Sequence, residues 1–246
     1  MRDDMLDDRR ERGRAPAPDI PRRRLVLGAA LTLVASRALA QQPAAPSAGP
    51  VAPEVKPYEV EGFRSAKFGM TEAEVKKAIE TDFNVKENGI SHDTNAVERT
   101  TILSFTGKDV IPEAGDVRVI YILGYSKKRL FQVVLRWGAG VSETSANSTS
   151  VLAGAQLLQN YFLGQQFKPE GRIVNGQLSD GSVLLFAGVD DKGRTVQLQY
   201  GTVPQAPKAG EKPDPNTTPP RIPFAQLLYV EDPKNPDVFR IKPGQF

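Results

Sequence analysis

The sequence predicts an α+β fold, a single compact domain in which a helix followed by about three antiparallel strands occurs twice. Apolar residues recur at helical spacing in two segments, and stretches rich in β-branched and aromatic residues with alternating polarity follow each segment. Polar turns separate the stretches. We therefore expect a tandem duplication within residues 58–246, with halves of about 58–140 and 141–246.

The first helix is predicted to begin within FGMTEAEVKKAI, residues 68–79. Thr71 fits the N-cap position, and Glu74 three residues later completes a capping box. Apolar residues then recur at helical spacing and form one face. They are Val75, Ala78, Ile79 and Phe83.

The remaining elements follow from changes in period. Strands are predicted over 99–106, 116–126 and 129–138, then a helix over 148–162, a hairpin over 181–201 and a last strand over 225–231. The stretch 203–223 holds seven prolines, which predicts a long irregular loop. In both hairpins a glycine, Gly124 or Gly188, precedes a charged turn and a strand that ends in an aromatic residue and glycine. This likeness favours duplication, although antiparallel hairpins in general look alike.

Residues 1–40 are typical of a cleavable export signal. A basic start at 22–24 precedes an apolar run over 25–36 and an A-x-A cleavage site at 38–40. The run is too short to cross a membrane, which takes about 20 residues. RRRLVLG also resembles a twin-arginine signal, and an ordinary signal with a basic start is the alternative. We expect a periplasmic protein, soluble after cleavage, with a flexible Pro/Ala-rich linker over 41–57.

The charge balance changes when the signal is removed. Residues 1–40 hold nine of the 32 basic residues and six of the 29 acidic ones, which leaves 23 of each. A neutral chain without a basic run predicts no nucleic-acid partner, and the lack of a long apolar stretch predicts no stable membrane insertion. The absence of cysteine excludes disulfides, thiolate metal sites and a lipid-modified cysteine.

Signatures of catalysis and cofactor binding are missing from the sequence. His92, the only histidine, lies in the polar stretch GISHDTN beside Asp93, and no G-x-S-x-G motif presents a serine. Asp190 and Asp191 occupy a predicted hairpin turn, where aspartate is favoured for turn chemistry. We therefore expect no catalytic site, no metal site and no cofactor.

Polar residues on the predicted strands are the candidate binding site. Their alternation with apolar residues places them on the side of the sheet that faces away from the core. They are Arg118, Gln132, Arg136, Gln197 and Gln199. Under the duplication Arg136 and Gln199 are equivalent. Such a polar face suits a protein partner, and the alternative is an ordinary solvent-exposed side of a sheet.

The segment Phe68-Gly69-Met70-Thr71, followed by Glu74 and Val75, resembles a helix start found in two groups of small exported α+β proteins. These are the BamE outer-membrane assembly lipoproteins and the β-lactamase inhibitory proteins, the latter with two tandem repeats. The resemblance covers residues 68–79 and implies the fold, an envelope setting and a binding or assembly role. It transfers no functional residue. The chain lacks the cysteines that anchor the first group and form disulfides in the second.

The sequence thus predicts a non-enzymatic protein-binding or envelope-assembly module with a partner in the envelope. The first alternative is a carrier of a small ligand or lipid, in which Phe131, Leu135, Trp137 and Tyr200 line a cavity instead of a packed core. The second is a hydrolase that uses His92.

Overall fold

One antiparallel sheet of eight strands carries two helices on a single face. A computed structural model describes residues 56–108, 110–141, 148–205, 217–241 and 244. The predicted signal and nearly all of the predicted linker lie outside the described residues. Within the described part of the chain, no helix is both long enough and apolar enough to cross a membrane. The α+β class predicted from the sequence is confirmed.

The elements follow one another along the chain in this order: β1 (Gly62–Phe63), β2 (Ala66–Lys67), α1 (Glu72–Phe83), β3 (Ser91–Thr94), β4 (Thr101–Gly107), β5 (Val117–Leu123), β6 (Leu130–Gly138), α2 (Ser148–Leu163), β7 (Ile173–Gln177), β8 (Val183–Val189), β9 (Thr195–Pro204) and β10 (Arg221–Val230). Strands β1 and β2 form a small hairpin of their own.

The large sheet has the strand order β3-β4-β5-β6-β10-β9-β8-β7, and every neighbouring pair is antiparallel. Each half of the chain therefore supplies four strands to the large sheet, one strand more than predicted. The duplication is not confirmed: the two hairpins that look alike, β5–β6 and β8–β9, occupy different places in the strand order of their halves. Arg136 and Gln199 are accordingly not equivalent by strand order.

Helix α1 begins as its sequence predicts. The backbone N–H of Thr71 donates to Oε2 of Glu74 over 2.7 Å, and the Glu74 N–H donates to Oγ1 of Thr71 over 3.4 Å. These two bonds form the capping box, which satisfies N–H groups that a helix start otherwise leaves unpaired. The predicted apolar face is also confirmed, because Val75 and Ile79 are fully buried.

Aromatic side chains hold both helices against the same face of the sheet. In α1, the ring of Phe83 lies 4.9 Å from the ring of Phe105 on β4. In α2, the fully buried Phe162 stacks on Phe186 of β8, with 5.4 Å between ring centroids, and also meets Tyr229 of β10. We call the side of the sheet that carries the helices the inner face and the opposite side the outer face.

Strands β6 and β10 join the two halves of the sheet at its centre, and we call this pair the seam. Leu135 lies opposite Leu227 there, and both are buried. Gly138 ends β6 with φ +77°, and a Cβ at this position would clash with the carbonyl oxygen of Pro223. Pro223 lies within β10, and β9 runs to Pro204, so the irregular loop is shorter at both ends than the predicted 203–223.

The buried carboxylate of Asp190 links the segment before β1 to the β8–β9 turn. Asp190 accepts hydrogen bonds from the backbone N–H groups of Val60, Lys192 and Arg194, each 2.9 Å long. It also accepts one from Nε of Arg194 over 2.7 Å. Burial disfavours the charged carboxylate, but these hydrogen bonds outweigh burial and hold the pKa of Asp190 below its ordinary value.

The two edge strands of the large sheet differ in character. Strand β3, with the sequence SHDT, is polar and exposed throughout. Strand β7 exposes Ile173 and Val174, and its Asn175 has φ +55° and no partner in the β8 register. Neither strand appears among the elements predicted from the sequence.

Candidate functional site

All five predicted binding residues lie on the outer face. Arg118, Gln132, Arg136, Gln197 and Gln199 alternate along their strands with residues that pack against the helices. Arg118 is exposed, and the other four are half-buried. The strand alternation in the sequence therefore assigned them correctly to one face, whereas their binding role stays a prediction.

Three of the five, together with Gln226, form a continuous row across the centre of the sheet. Arg118 lies opposite Arg136 on the β5–β6 pair. Across the seam Arg136 lies opposite Gln226, and Gln226 lies opposite Gln199 on β9. We call Arg118, Arg136, Gln226 and Gln199 the polar row. Gln226 is absent from the predicted site, although alternation along the predicted strand 225–231 would have identified it.

The other two predicted residues lie outside the polar row. Gln197 lies opposite Leu228, two residues further along β10, and Gln132 lies opposite Val230, four residues from Gln226. Aliphatic side chains occupy the space between them and form what we call the aliphatic band. Its members are Ile120, Ile122, Val134, Leu228 and Val230. The sequence suggested a polar face. The structure instead combines a polar row with an aliphatic band on this face.

In the part of the chain that the structure describes, the two arginines of the polar row lack an acidic partner. Arg118 donates from Nη2 to Oγ of Ser104 over 3.0 Å, and the Arg136 guanidinium lies 5.3 Å from the centroid of the Phe224 ring. The Nε atom of Arg136 is buried without a hydrogen bond. Among the residues that the structure describes, no carboxylate forms an ion pair with either arginine. Two like charges directly opposite each other on a sheet destabilise it.

His92 belongs to strand β3 rather than to the expected polar loop. Its Nε2 atom lies 3.3 Å from Oε1 of Glu72, and its side chain is half exposed. Asp93, the next residue of the strand, points to the opposite side, so the two do not form a catalytic pair. Within the described ranges, no group of three potential metal ligands comes together.

A cleft of about 550 Å³ opens on the inner face, above the seam. Its floor is Leu135, Trp137, Leu227 and Tyr229, and its walls come from helix α2 and the β1–β2 hairpin. Of the four residues that the carrier alternative placed in a cavity, Leu135 and Trp137 line the cleft. Phe131 and Tyr200 do not.

Comparison with protein-family models, curated proteins and solved structures found no match. The function must therefore be inferred from the outer face and the cleft.

Three tyrosines, Tyr58, Tyr161 and Tyr229, line the cleft. Burial raises the pKa of Tyr58, and the neighbouring Tyr161 hydroxyl raises it further. Burial likewise raises the pKa of Tyr229, to which Tyr58 and Tyr161 add smaller effects. The phenols of Tyr58 and Tyr229 therefore stay protonated and neutral near pH 7.

Proposed function

We propose that this protein is a non-enzymatic binding module of the cell envelope that docks another protein on its outer face. The observation that carries the proposal is the pair Arg118 and Arg136, two arginines at opposite positions of neighbouring strands without an acidic partner in the described part of the chain. They lie at the centre of a helix-free face.

The chemistry of this face defines the partner. A carboxylate placed between the guanidinium groups would accept hydrogen bonds from both arginines and offset their mutual repulsion. The aliphatic band beside them supplies apolar area. Arginine with surrounding apolar contact is typical of energetically dominant positions at interfaces. We therefore expect the partner to present an Asp or Glu side chain within an apolar surface.

The size of the face also suits a protein. Neighbouring strands lie about 4.8 Å apart, so the eight-stranded sheet is roughly 34 Å wide. A standard protein interface buries about 800 Å² on each partner. A face of this width accommodates such an interface on its central strands.

The proposal is tested by capture from a periplasmic extract of the producing cells. Bait protein with a photo-crosslinking amino acid at position 120 reports contacts of the aliphatic band. We expect one crosslinked protein with the wild-type bait, and at least about tenfold less of it after Arg118→Ala together with Arg136→Ala.

Arg240→Ala is the matched control, because Arg240 is an exposed arginine in the C-terminal segment that follows β10 and is not a member of the polar row. It should capture as much partner as the wild type, and circular dichroism should show all baits folded. Equal capture by the wild type and the double variant, or no capture by any bait, would count against docking on this face.

We further propose that the protein is exported by means of residues 1–40. The support is the basic start, the apolar run and the A-x-A site of the sequence. Mass spectrometry of the protein purified from the periplasm should give a mature N-terminus at Gln41. Retention of the precursor in the cytoplasm after Arg22→Lys with Arg23→Lys would favour the twin-arginine route over the general one.

We also propose that the two halves arose by duplication. The support is their shared order, a helix followed by four antiparallel strands, and the central pairing of their last strands β6 and β10. Related sequences, once aligned, should show the halves matching each other with β6 equivalent to β10. If the alignment score between the two halves did not exceed the score obtained with shuffled sequences, the duplication proposal would be contradicted.

The carrier alternative is favoured by one specific observation, the open cleft of about 550 Å³. Because the cleft lies on the inner face, binding there and docking on the outer face do not exclude each other.

A further inference from the structure

The two helices on the inner face differ in the residues that they present to solvent. Six of the twelve residues of α1 are charged, as is usual for the solvent side of a helix that packs on a sheet. Helix α2 has no charged residue among its sixteen. Within the described part of the chain, three well-exposed large apolar side chains belong to α2 and none to α1: Leu157, Tyr161 and Leu163. An uncharged, partly apolar outer side of a helix is typical of a contact surface.

Exposed residues of α2 form a ridge along the helix. Ala153, Leu157 and Tyr161 are spaced by four, so they follow one another along the same side of the helix, and all three are exposed. The amide side chains of Gln156 and Asn160 are exposed beside them. Residues four apart form the ridges that pack into the grooves of a second helix. We call Ala153, Leu157 and Tyr161 the α2 ridge.

The α2 ridge is complementary to itself. A twofold axis beside Leu157, perpendicular to the helix, places this residue against Leu157 of a second, antiparallel copy. Ala153 then lies against Tyr161 of the second copy, and the reverse, because both are four residues from Leu157. A small side chain thus meets a large one at both ends of the contact. On the flank, Gln156 lies near Asn160 of the second copy, and amides can both donate and accept hydrogen bonds.

The lack of charge on α2 favours a second copy as the partner. In a twofold contact the same patch meets itself, so a charge close to the axis lies near the same charge of the second copy. Helix α2 contains no such charge. A charged partner would lose hydration at this surface without gaining an ion pair in return. An uncharged and self-complementary ridge therefore suits another copy of this chain.

We infer that two copies of the protein associate through their α2 ridges, antiparallel and with Leu157 at the twofold axis. A helix of sixteen residues is about 24 Å long. A contact confined to one such helix covers less than the roughly 800 Å² per partner of a standard interface. The dimer is therefore reversible, and its population rises with protein concentration.

The dimer leaves both outer faces open. The helices lie on the inner face of each sheet, so paired helices separate the two sheets and the outer faces point away from each other. Two partner molecules can then dock on one dimer, which raises the avidity for a partner that itself carries two binding sites. This consequence rests on the proposed docking role, whereas the dimer itself does not.

Sedimentation velocity of the purified protein over a range of concentrations measures the association. We expect a reversible monomer–dimer equilibrium in the wild type. Leu157→Glu brings two carboxylates together at the axis and should raise the dissociation constant at least about tenfold. Ala73→Glu, at an exposed position of α1, is the matched control and should leave the dissociation constant unchanged. Circular dichroism should show both variants folded, because each replaced side chain is exposed.

An exchange of side-chain size tests the antiparallel register. Ala153→Tyr places two large residues opposite each other and should weaken the dimer about tenfold. Adding Tyr161→Ala to the same chain restores one small and one large residue at each end, so it should recover most of the loss. A surface that is merely apolar would instead bind more tightly after Ala153→Tyr.

Disulfide crosslinking tests the position of the axis. The chain contains no cysteine, so a single introduced cysteine can pair only with its own counterpart in another copy. Disulfides require Cα atoms within about 7 Å of each other. Under mild oxidation Leu157→Cys should give a crosslinked dimer on a non-reducing gel, and Ala73→Cys should stay monomeric.

Four outcomes would overturn the inference. They are a monomer at every concentration, a dimer that Leu157→Glu leaves intact, tighter association after Ala153→Tyr, and equal crosslinking of the two cysteine variants. Arg118→Ala with Arg136→Ala should dimerise as the wild type does. Because dimerisation is measured without a partner protein, failure of the docking experiment leaves it unaffected, and the two proposals fail separately.

Discussion

Thr71 and Thr81 lie in and beside the same helix, but their hydroxyls have different partners. Thr71 caps the N-terminus through Glu74, whereas the Thr81 hydroxyl donates to the carbonyl oxygen of Lys77 within the helix. We expect Thr71→Ala to lower the free energy of unfolding by about 1 kcal/mol, because the Glu74 N–H loses its acceptor and the Glu74 carboxylate loses the hydrogen bond from the Thr71 hydroxyl. Thr81→Ala, the control, should change it by less than about 0.5 kcal/mol.

Urea unfolding followed by circular dichroism measures both variants. Equal losses of stability would show that the capping box does not stabilise helix α1. Neither substitution touches the outer face or the cleft, so binding by the folded variants should be unchanged.

Asp190 and Asp191 are neighbours in one turn with opposite surroundings. The Asp190 side chain is 1% exposed and bonds Arg194, whereas Asp191 is 52% exposed and pairs with Lys168 at the surface. Asp190→Asn removes the buried carboxylate that bonds Nε of Arg194 and leaves this guanidinium only its contact with the exposed Glu59, 3.2 Å from Nη2. We expect a loss of about 3 kcal/mol at pH 7, against less than about 1 kcal/mol for Asp191→Asn.

The lowered pKa of Asp190 also sets a pH dependence. Its stabilisation is fully present above the pKa of the unfolded chain, about 3.9, and is lost as the pH falls through the lower pKa of the folded state. Melting temperatures measured from pH 7 to pH 2 should fall less steeply below pH 4 in Asp190→Asn than in the wild type. Parallel curves would contradict this assignment.

At the scale of elements, local patterns predicted both helices and the central strands. The capping box of α1 and the apolar spacing of both helices each involve residues only a few positions apart in the sequence. These local signals therefore identified α1 and α2. Strands β3 and β7 were missed because they are short, exposed edge strands, held mainly by a neighbouring strand. Pro223 was taken for loop although it lies in β10, where its carbonyl accepts a hydrogen bond from Ala139.

The difference between local patterns and contacts of distant segments also applies to the candidate site. Alternation within each strand predicted which side chains share the outer face. It did not predict that Arg136 lies beside Gln226, because 90 residues separate them and only the seam brings them together. The cleft was also beyond local patterns, since one wall is the β1–β2 hairpin, which has no periodic signal in the sequence.

At the scale of the whole molecule, the seam makes the two halves one cooperative unit. Trp137 lies opposite Val117 on β5 and opposite Ala225 on β10, so it contacts strands of both halves. We expect urea unfolding to give a single transition, with Trp137 fluorescence and far-ultraviolet circular dichroism changing at the same midpoint. Two midpoints would show that one half unfolds before the other.

The unequal edges of the sheet have a consequence for the protein at high concentration. An exposed edge strand offers unpaired N–H and C=O groups to any other strand, and polar, charged sequences discourage such pairing. Strand β3 has that protection, whereas β7 presents Ile173 and Val174 and relies on the irregularity at Asn175. Aggregation of this protein during storage or crystallisation would therefore begin at β7, and one lysine at position 174 would suppress it.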